Sequence, residues 1–181
     1  MLRASALQSV AIQGRFGADK GAPGVDLSVV HPISIVTVIA RQGKAKALKE
    51  TLSGLKKLDV LWAGPDQYFV QAQGLEDGAL FADLKKRLGG LASVSDQSHG
   101  RVVIRIAGPK ARAVLAKGTP VDLHADEFLV GKSALTQMAH VSVHLTRTGP
   151  DEFTLSLFRG FSESFWEWLT SQAAEFGYQV K

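Results

Sequence analysis

Asp96, Ser98 and His99 place a carboxylate, a hydroxyl and an imidazole within four consecutive residues, the three side-chain types of a hydrolytic triad. Crowded so closely along the chain, they cannot line up as orienter, nucleophile and base. A loop in which an Asp or Ser side chain bonds its own backbone is the expected reading. The other histidines are His31, His124, His140 and His144. His140 and His144 are four apart, but along a strand that spacing puts them roughly 13 Å from each other, too far to share a metal ion. Gly43-Lys44 and Gly108-Pro109-Lys110 set a glycine and a lysine at expected helix starts, where free N–H groups could hold a phosphate. Neither is a Walker loop or a dinucleotide fingerprint, and both read as plain turns. The absence of cysteine excludes disulfides, thiolate metal sites, iron–sulfur clusters and cysteine nucleophiles together. No catalytic, cofactor-binding or metal-ligating residue is assigned on these grounds.

The elements that carry these residues are legible from periodicity. Val102, Ile104 and Ile106 alternate along a strand expected over Arg101 to Ala107. Gly108-Pro109 stops it, and a helix follows from Pro109 to Lys117 with Ala111, Val114 and Leu115 on its apolar face and Gly118 as a left-handed terminus. Upstream, the β-branched run Ile33 to Ile39 predicts a central strand buried on both faces, followed by a helix over Lys44 to Gly54. Val60 to Ala63 and Gln67 to Ala72 flank the turn Gly64-Pro65-Asp66, a second helix covers Glu76 to Leu88, and Leu91 to Ser95 is a short strand. That order, βαββαβ, is the split-βαβ or ferredoxin-like arrangement.

After Arg101 the order recurs, with strands at Val141 to Thr146, Phe153 to Phe158 and Tyr178 to Val180 and a helix over Phe161 to Phe176. The hairpins Gly64-Pro65-Asp66 and Gly149-Pro150-Asp151 sit at an offset of 149 − 64 = 85 residues. A fixed offset with similar turns points to internal duplication. The second half also carries an insertion, Thr119 to His140. The expected architecture is α+β: an extended N-terminal arm over residues 1–30, then a single domain, 31–181, of two pseudo-symmetric ferredoxin-like halves at about 31–97 and 101–181.

With 45% hydrophobic and 21% charged residues, the composition is that of an ordinary soluble protein. No apolar run approaches membrane-spanning length and no signal peptide is evident, so no membrane partner and a cytoplasmic location are expected. The net charge of +4 is dispersed over expected helix faces. The inner strand Arg101 to Ala107 lacks the stacking aromatics of an RNA-binding module, so no nucleic-acid partner is expected. Partner contact is expected elsewhere. In the arm, Val10, Ile12, Phe16 and Val25 would be wasted in solvent. On the last helix, Phe161, Phe165, Trp168, Leu169, Ala173 and Phe176 form one stripe that Trp166 falls off by helical rotation. Trp166, Trp62 and Phe16 are the interface candidates.

From about Leu58 onward the chain resembles the gamma subunit of heterotetrameric sarcosine oxidase. The likeness is carried by Trp62 to Tyr68, Val94 to His99, Ile106 to Ala111, Pro120 to His124, Thr136, Phe158 to Ser162 and Phe165 to Leu169, in that order and spacing. Thr119 stands where a cysteine is common, and Arg159-Gly160-Phe161 where Arg-Ser-Phe is usual. The family is in turn similar to the folate-binding domain of glycine-cleavage aminomethyltransferases. Those enzymes carry an acidic pair before the strand that leads into the hairpin, and the matching place here reads Ala139-His140. The resemblance therefore implies the folate-domain shape without its chemistry: a non-catalytic subunit packing against alpha, beta and delta subunits. It binds no cofactor itself, with FAD, FMN, NAD and tetrahydrofolate on those other subunits. The alternative is a free-standing folate-binding or one-carbon transferase module.

Overall fold

Apolar alternation broken by glycine- and proline-bearing turns produces eleven strands and four α-helices among the described residues. A computed structural model of the chain describes residues 4–18 and 21–181. In order the elements are β1 (Gly14–Phe16), β2 (Val25–Val29), β3 (Ile33–Ala40), α1 (Ala45–Ser53), β4 (Asp59–Gly64), β5 (Gln67–Gln73), α2 (Ala79–Arg87), β6 (Ala92–Asp96), β7 (Arg101–Ala107), α3 (Ala111–Ala116), β8 (Ser133–Met138), β9 (Val141–Gly149), β10 (Glu152–Phe158), α4 (Ser162–Ala173) and β11 (Tyr178–Val180). They divide into two compact units, one of residues 1–31 with 102–181 and the other of residues 32–101. No helix among the described residues is long and apolar enough to cross a membrane.

The unit of residues 32–101 is the plain βαββαβ plan. Its four-stranded sheet runs β4-β5-β3-β6, all neighbours antiparallel, so the first strand lies between the third and the fourth. Leu48 and Leu52 of α1 and Leu80, Leu84 and Leu88 at α2 pack onto Val36, Val38 and Val70 in one core. Each enclosed aliphatic side chain is worth roughly 1.5–3 kcal/mol relative to exposure. Lys85, Lys86 and Arg87 occupy the last turn of α2, where cations complement the helix dipole. The β4–β5 turn puts Asp66 at φ 55, the left-handed position that follows proline in a type II turn.

The other unit keeps the same plan in β7, α3, β9, β10, α4 and β11 and adds strands to it. Its sheet runs β1-β11-β2-β7-β10-β9-β8. The stretch expected as an extended arm against a partner supplies two of these strands. β2 is wedged between β11, to which it is parallel, and β7, to which it is antiparallel. Leu7, Val25 and Leu27 are buried in the core with Ile104, Ile106, Leu155 and Leu157. The glycine-rich spelling hides this role because β2 pairs with chain roughly eighty and one hundred and fifty residues away, and such long-range contacts leave no local pattern. The insertion likewise contains a strand, β8, paired along its length with β9.

Two local expectations change. Gly118 is not left-handed; a Cβ there would stand 2.4 Å from the Trp168 ring, so the glycine makes room for α4 to approach α3. Trp166, expected to be exposed, is 5% exposed and belongs to the core with Phe165, Leu169 and Leu7. The helix is covered on two flanks, so its apolar arc is wider than one stripe. Trp168 is the half-buried one, resting on Phe165 at 5.5 Å.

Candidate functional site

The loop after β6 is built by its own side chains. The Ser98 N–H and hydroxyl both donate to Asp96 Oδ1, at 2.9 and 2.6 Å, which makes an Asx turn. Ser98 Oγ also accepts the Ile35 N–H at 3.0 Å, fastening the loop to β3. His99 turns to another carboxylate, its Nε2 lying 2.9 Å from Asp77 Oδ2. The hydroxyl and the imidazole thus answer to different acids, and no proton relay joins them.

His140, expected on a strand, is in the turn between β8 and β9. Ala139 and His140 have φ of 50 and 64 between the paired residues Met138 and Val141, a two-residue turn of type I′. His144 is buried on β9, at 2% exposure. No group of three or more His, Cys, Asp or Glu able to hold a metal occurs among the described residues. The place expected to match the acidic pair, Ala139-His140, is a left-handed turn with no carboxylate of its own. The helix starts are occupied too. The N–H of Gly108 donates to Asp151 and that of Lys110 to Gly24, while the Lys44 N–H donates to Arg41, so these donors are not free for a phosphate.

Sequence patterns did not single out the arginines. Arg147, 6% exposed, donates from Nε to Gly149 O, from Nη1 to Ala125 O and Phe128 O, and from Nη2 to Pro150 O, at 2.8–3.0 Å. A buried guanidinium has five donors, and carbonyls are the acceptors that a loop can supply in number. Arg112 does the same from α3, donating to Leu123 O at 2.7 Å and to Pro150 O, with its guanidinium over the Phe153 ring. Together they tie the insertion to the β9–β10 turn. Thr119 shares a 2.7 Å hydroxyl bond with Thr136 of β8. Arg105 pairs with Glu152, which holds the Glu152 carboxyl below its ordinary range and raises the guanidinium.

The surface features differ between the three interface candidates. Trp62 on β4 is 46% exposed and Phe16 on β1 is 39% exposed, whereas Trp166 is buried. Phe16 stacks on Tyr178 with centroids 5.3 Å apart. It stands at the margin of a groove of about 560 Å³ between the N-terminal segment and α4, and Trp166 forms part of the floor. At the tip of the insertion, Leu129 and Val130 are 59% and 55% exposed beside the anchored Phe128.

The family described as "Sarcosine oxidase, gamma subunit family" matches residues 31–175. The sarcosine oxidase subunit gamma of Corynebacterium sp. (strain U-96) is 33% identical over 175 residues, 96% of this chain and 82% of that protein. An aminomethyltransferase of Saccharopolyspora erythraea is 28% identical over 167 residues, 90% of this chain and 45% of that protein. Among solved structures, a chain of the heterotetrameric sarcosine oxidase from Corynebacterium sp. U-96 in complex with pyrrole 2-carboxylate superposes with a TM-score of 0.83 at 29% identity, covering 96% of each chain. The glycine cleavage system aminomethyltransferase T from Bartonella henselae shares the fold, with a TM-score of 0.61 at 21% identity over 84% of this chain and 49% of that one. With the family matched over most of the sequence and the fold matched over nearly all of it, this chain belongs to the sarcosine oxidase gamma subunit family.

Proposed function

We propose that this chain is the non-catalytic gamma subunit of a heterotetrameric sarcosine oxidase. That complex oxidatively demethylates sarcosine to glycine and hydrogen peroxide and passes the one-carbon unit to tetrahydrofolate. The observation that carries the proposal is the likeness to a chain of a heterotetrameric sarcosine oxidase along 96% of both chains. FAD, FMN, NAD and tetrahydrofolate are assigned to the alpha, beta and delta subunits. In support, the strained Ala139-His140 turn has no carboxylate to work beside a folate, and the loop of Asp96, Ser98 and His99 spends its polar groups on its own backbone and on Asp77.

The chain's part is then to pack against its partners in the cytoplasm, with Phe16 and Trp62 among the contacts and Trp166 acting from beneath as support. The two units are read as copies of one ancestral βαββαβ element. Their hairpins close on equivalent pairs, Gly64 with Gln67 and Gly149 with Glu152, which supports that descent.

Co-expression with the alpha, beta and delta subunits tests the proposal. A coloured flavoprotein that retains this chain through purification is the expected result. A chain that stays colourless and alone through each step overturns it.

A further inference from the structure

The groove between α4 and the N-terminal segment has a chemistry that singles out an occupant. Its walls include Val10, Ile12 and Phe16, which are 38%, 65% and 39% exposed, and its floor includes Trp166 and Val180. Apolar side chains left this open on a soluble chain mark a docking surface when they adjoin one another. Besides the phenol of Tyr178, the polar groups of the lining side chains on α4 fall into two classes. Ser164 and Thr170 spend their hydroxyls on α4 itself, donating to Phe161 O at 3.1 Å and Trp166 O at 2.9 Å. Glu163 and Glu167 are exposed, one helical turn apart, and make no ion pair among the described residues.

Among the described residues no Lys or Arg lines this groove, although the chain carries 21 of them. The charged groups of its described lining are therefore both anionic, although the chain as a whole is at +4. Beside it β1 forms the edge of the seven-stranded sheet, pairing only with β11 among the described residues, so backbone donors and acceptors stand open at the margin. An apolar trough, two unpaired carboxylates and an open strand edge together suit a short extended peptide. Its apolar side chains fill the trough, its cations meet Glu163 and Glu167, and its backbone runs beside β1.

We propose that this groove receives an extended segment of another subunit of the complex, one carrying Lys or Arg next to apolar residues. The inference rests on the subunit role proposed above and names the place and chemistry of one contact. The opposite charges would steer encounter and fix register more than they add affinity, so the contact should weaken with salt.

The test uses the co-expressed complex, with a benzoylphenylalanine photocrosslinker in place of Ile12 and, separately, the double variant E163K/E167K. The expected result is a crosslink from position 12 to one other subunit, on a peptide with Lys or Arg beside apolar residues. The double variant should be released from the complex at a salt concentration that leaves the parent complex intact, with an affinity about ten-fold weaker. Both glutamates are exposed, and the circular dichroism of the isolated variant checks that its fold is kept. A crosslink confined to this chain or to a second copy of it overturns the inference. So does a captured peptide without a cation, or a double variant held as tightly as the parent. In those cases the complex still forms and only the groove assignment is lost. If co-expression yields no complex at all, the subunit role falls with it.

Discussion

The two units share an element order and differ in what has been added to it. Residues 32–101 hold six elements and a core made by two helices on one sheet, and their turns are closed by local backbone chemistry. The unit of residues 1–31 and 102–181 inserts β2 into the middle of the plan, adds β1 and β8 at opposite edges, and carries the loop that starts at Thr119. These additions need long-range fastening, and two arginines supply it by donating to main-chain carbonyls, Arg112 also pairing with the Asp151 carboxylate at 3.4 Å. The comparison teaches that the additions are held in place by the buried Arg147 and the partly buried Arg112. The open apolar residues of this unit lie largely there as well, in the N-terminal segment, at the insertion tip and on β8.

Variants can break or sharpen that contrast. The largest effect is expected at the tryptophans. Trp166→Ala should lower stability by about 3–5 kcal/mol by emptying a filled core site, whereas the half-exposed Trp62→Ala should cost about 1 kcal/mol in the isolated chain. Urea midpoints compare the two, and equal losses would erase the distinction between core and surface drawn here.

Arg147→Ala removes the guanidinium from four carbonyls, of which Pro150 O keeps Arg112, and should cost about 3 kcal/mol. Faster hydrogen exchange should concentrate between residues 119 and 132, while the unit of residues 32–101 keeps its protection. Arg147→Lys should recover little, because an ammonium cannot span the same fork of acceptors. Uniform exchange through both units would argue that the arginine is not a local fastener.

Gly118→Ala pushes a methyl toward Trp168 and should cost about 1–3 kcal/mol, with a change in tryptophan fluorescence. If the glycine instead served a left-handed backbone, alanine would cost stability without disturbing that ring. In the opposite direction, Ala139→Gly should stabilise by about 1 kcal/mol, since φ of 50 is costly for a residue with a Cβ. A higher melting temperature is the readout.

The smallest effect concerns Glu152, whose carboxyl is held below its ordinary value mainly by the hydrogen bond from Arg105. A carboxyl with a depressed native pKa adds stability above its unfolded value and loses it as pH falls through the native one. Glu152→Gln should therefore cost about 0.5–1 kcal/mol near neutrality, and the gap to the parent should close in acid. A gap that persists unchanged below the native value would point to packing rather than charge.

Much of this was legible in the residues. Alternation in β7, the paired hairpin turns and the apolar faces of α1, α2 and α3 are local patterns, and local patterns survive in a linear reading. The Asx turn at Asp96 and Ser98 is legible for the same reason, since its partners are two residues apart. Trp166 was not, because it joins a core that includes Leu7, Val25 and Leu27 from the far end of the chain. Nor was β2, whose alternation at Val25, Leu27 and Val29 takes its meaning only from strands that are distant in sequence.

By itself the order of residues determined an α+β chain with two βαββαβ passages, no thiol chemistry and no nucleophile set beside a base. Tertiary structure decided which glycine serves space rather than turn, which tryptophan is core, and that an N-terminal stretch completes a sheet. The reason lies in range: hydrogen bonds and apolar faces within one element are written in adjacent residues, whereas burial depends on whatever the rest of the chain brings to cover them.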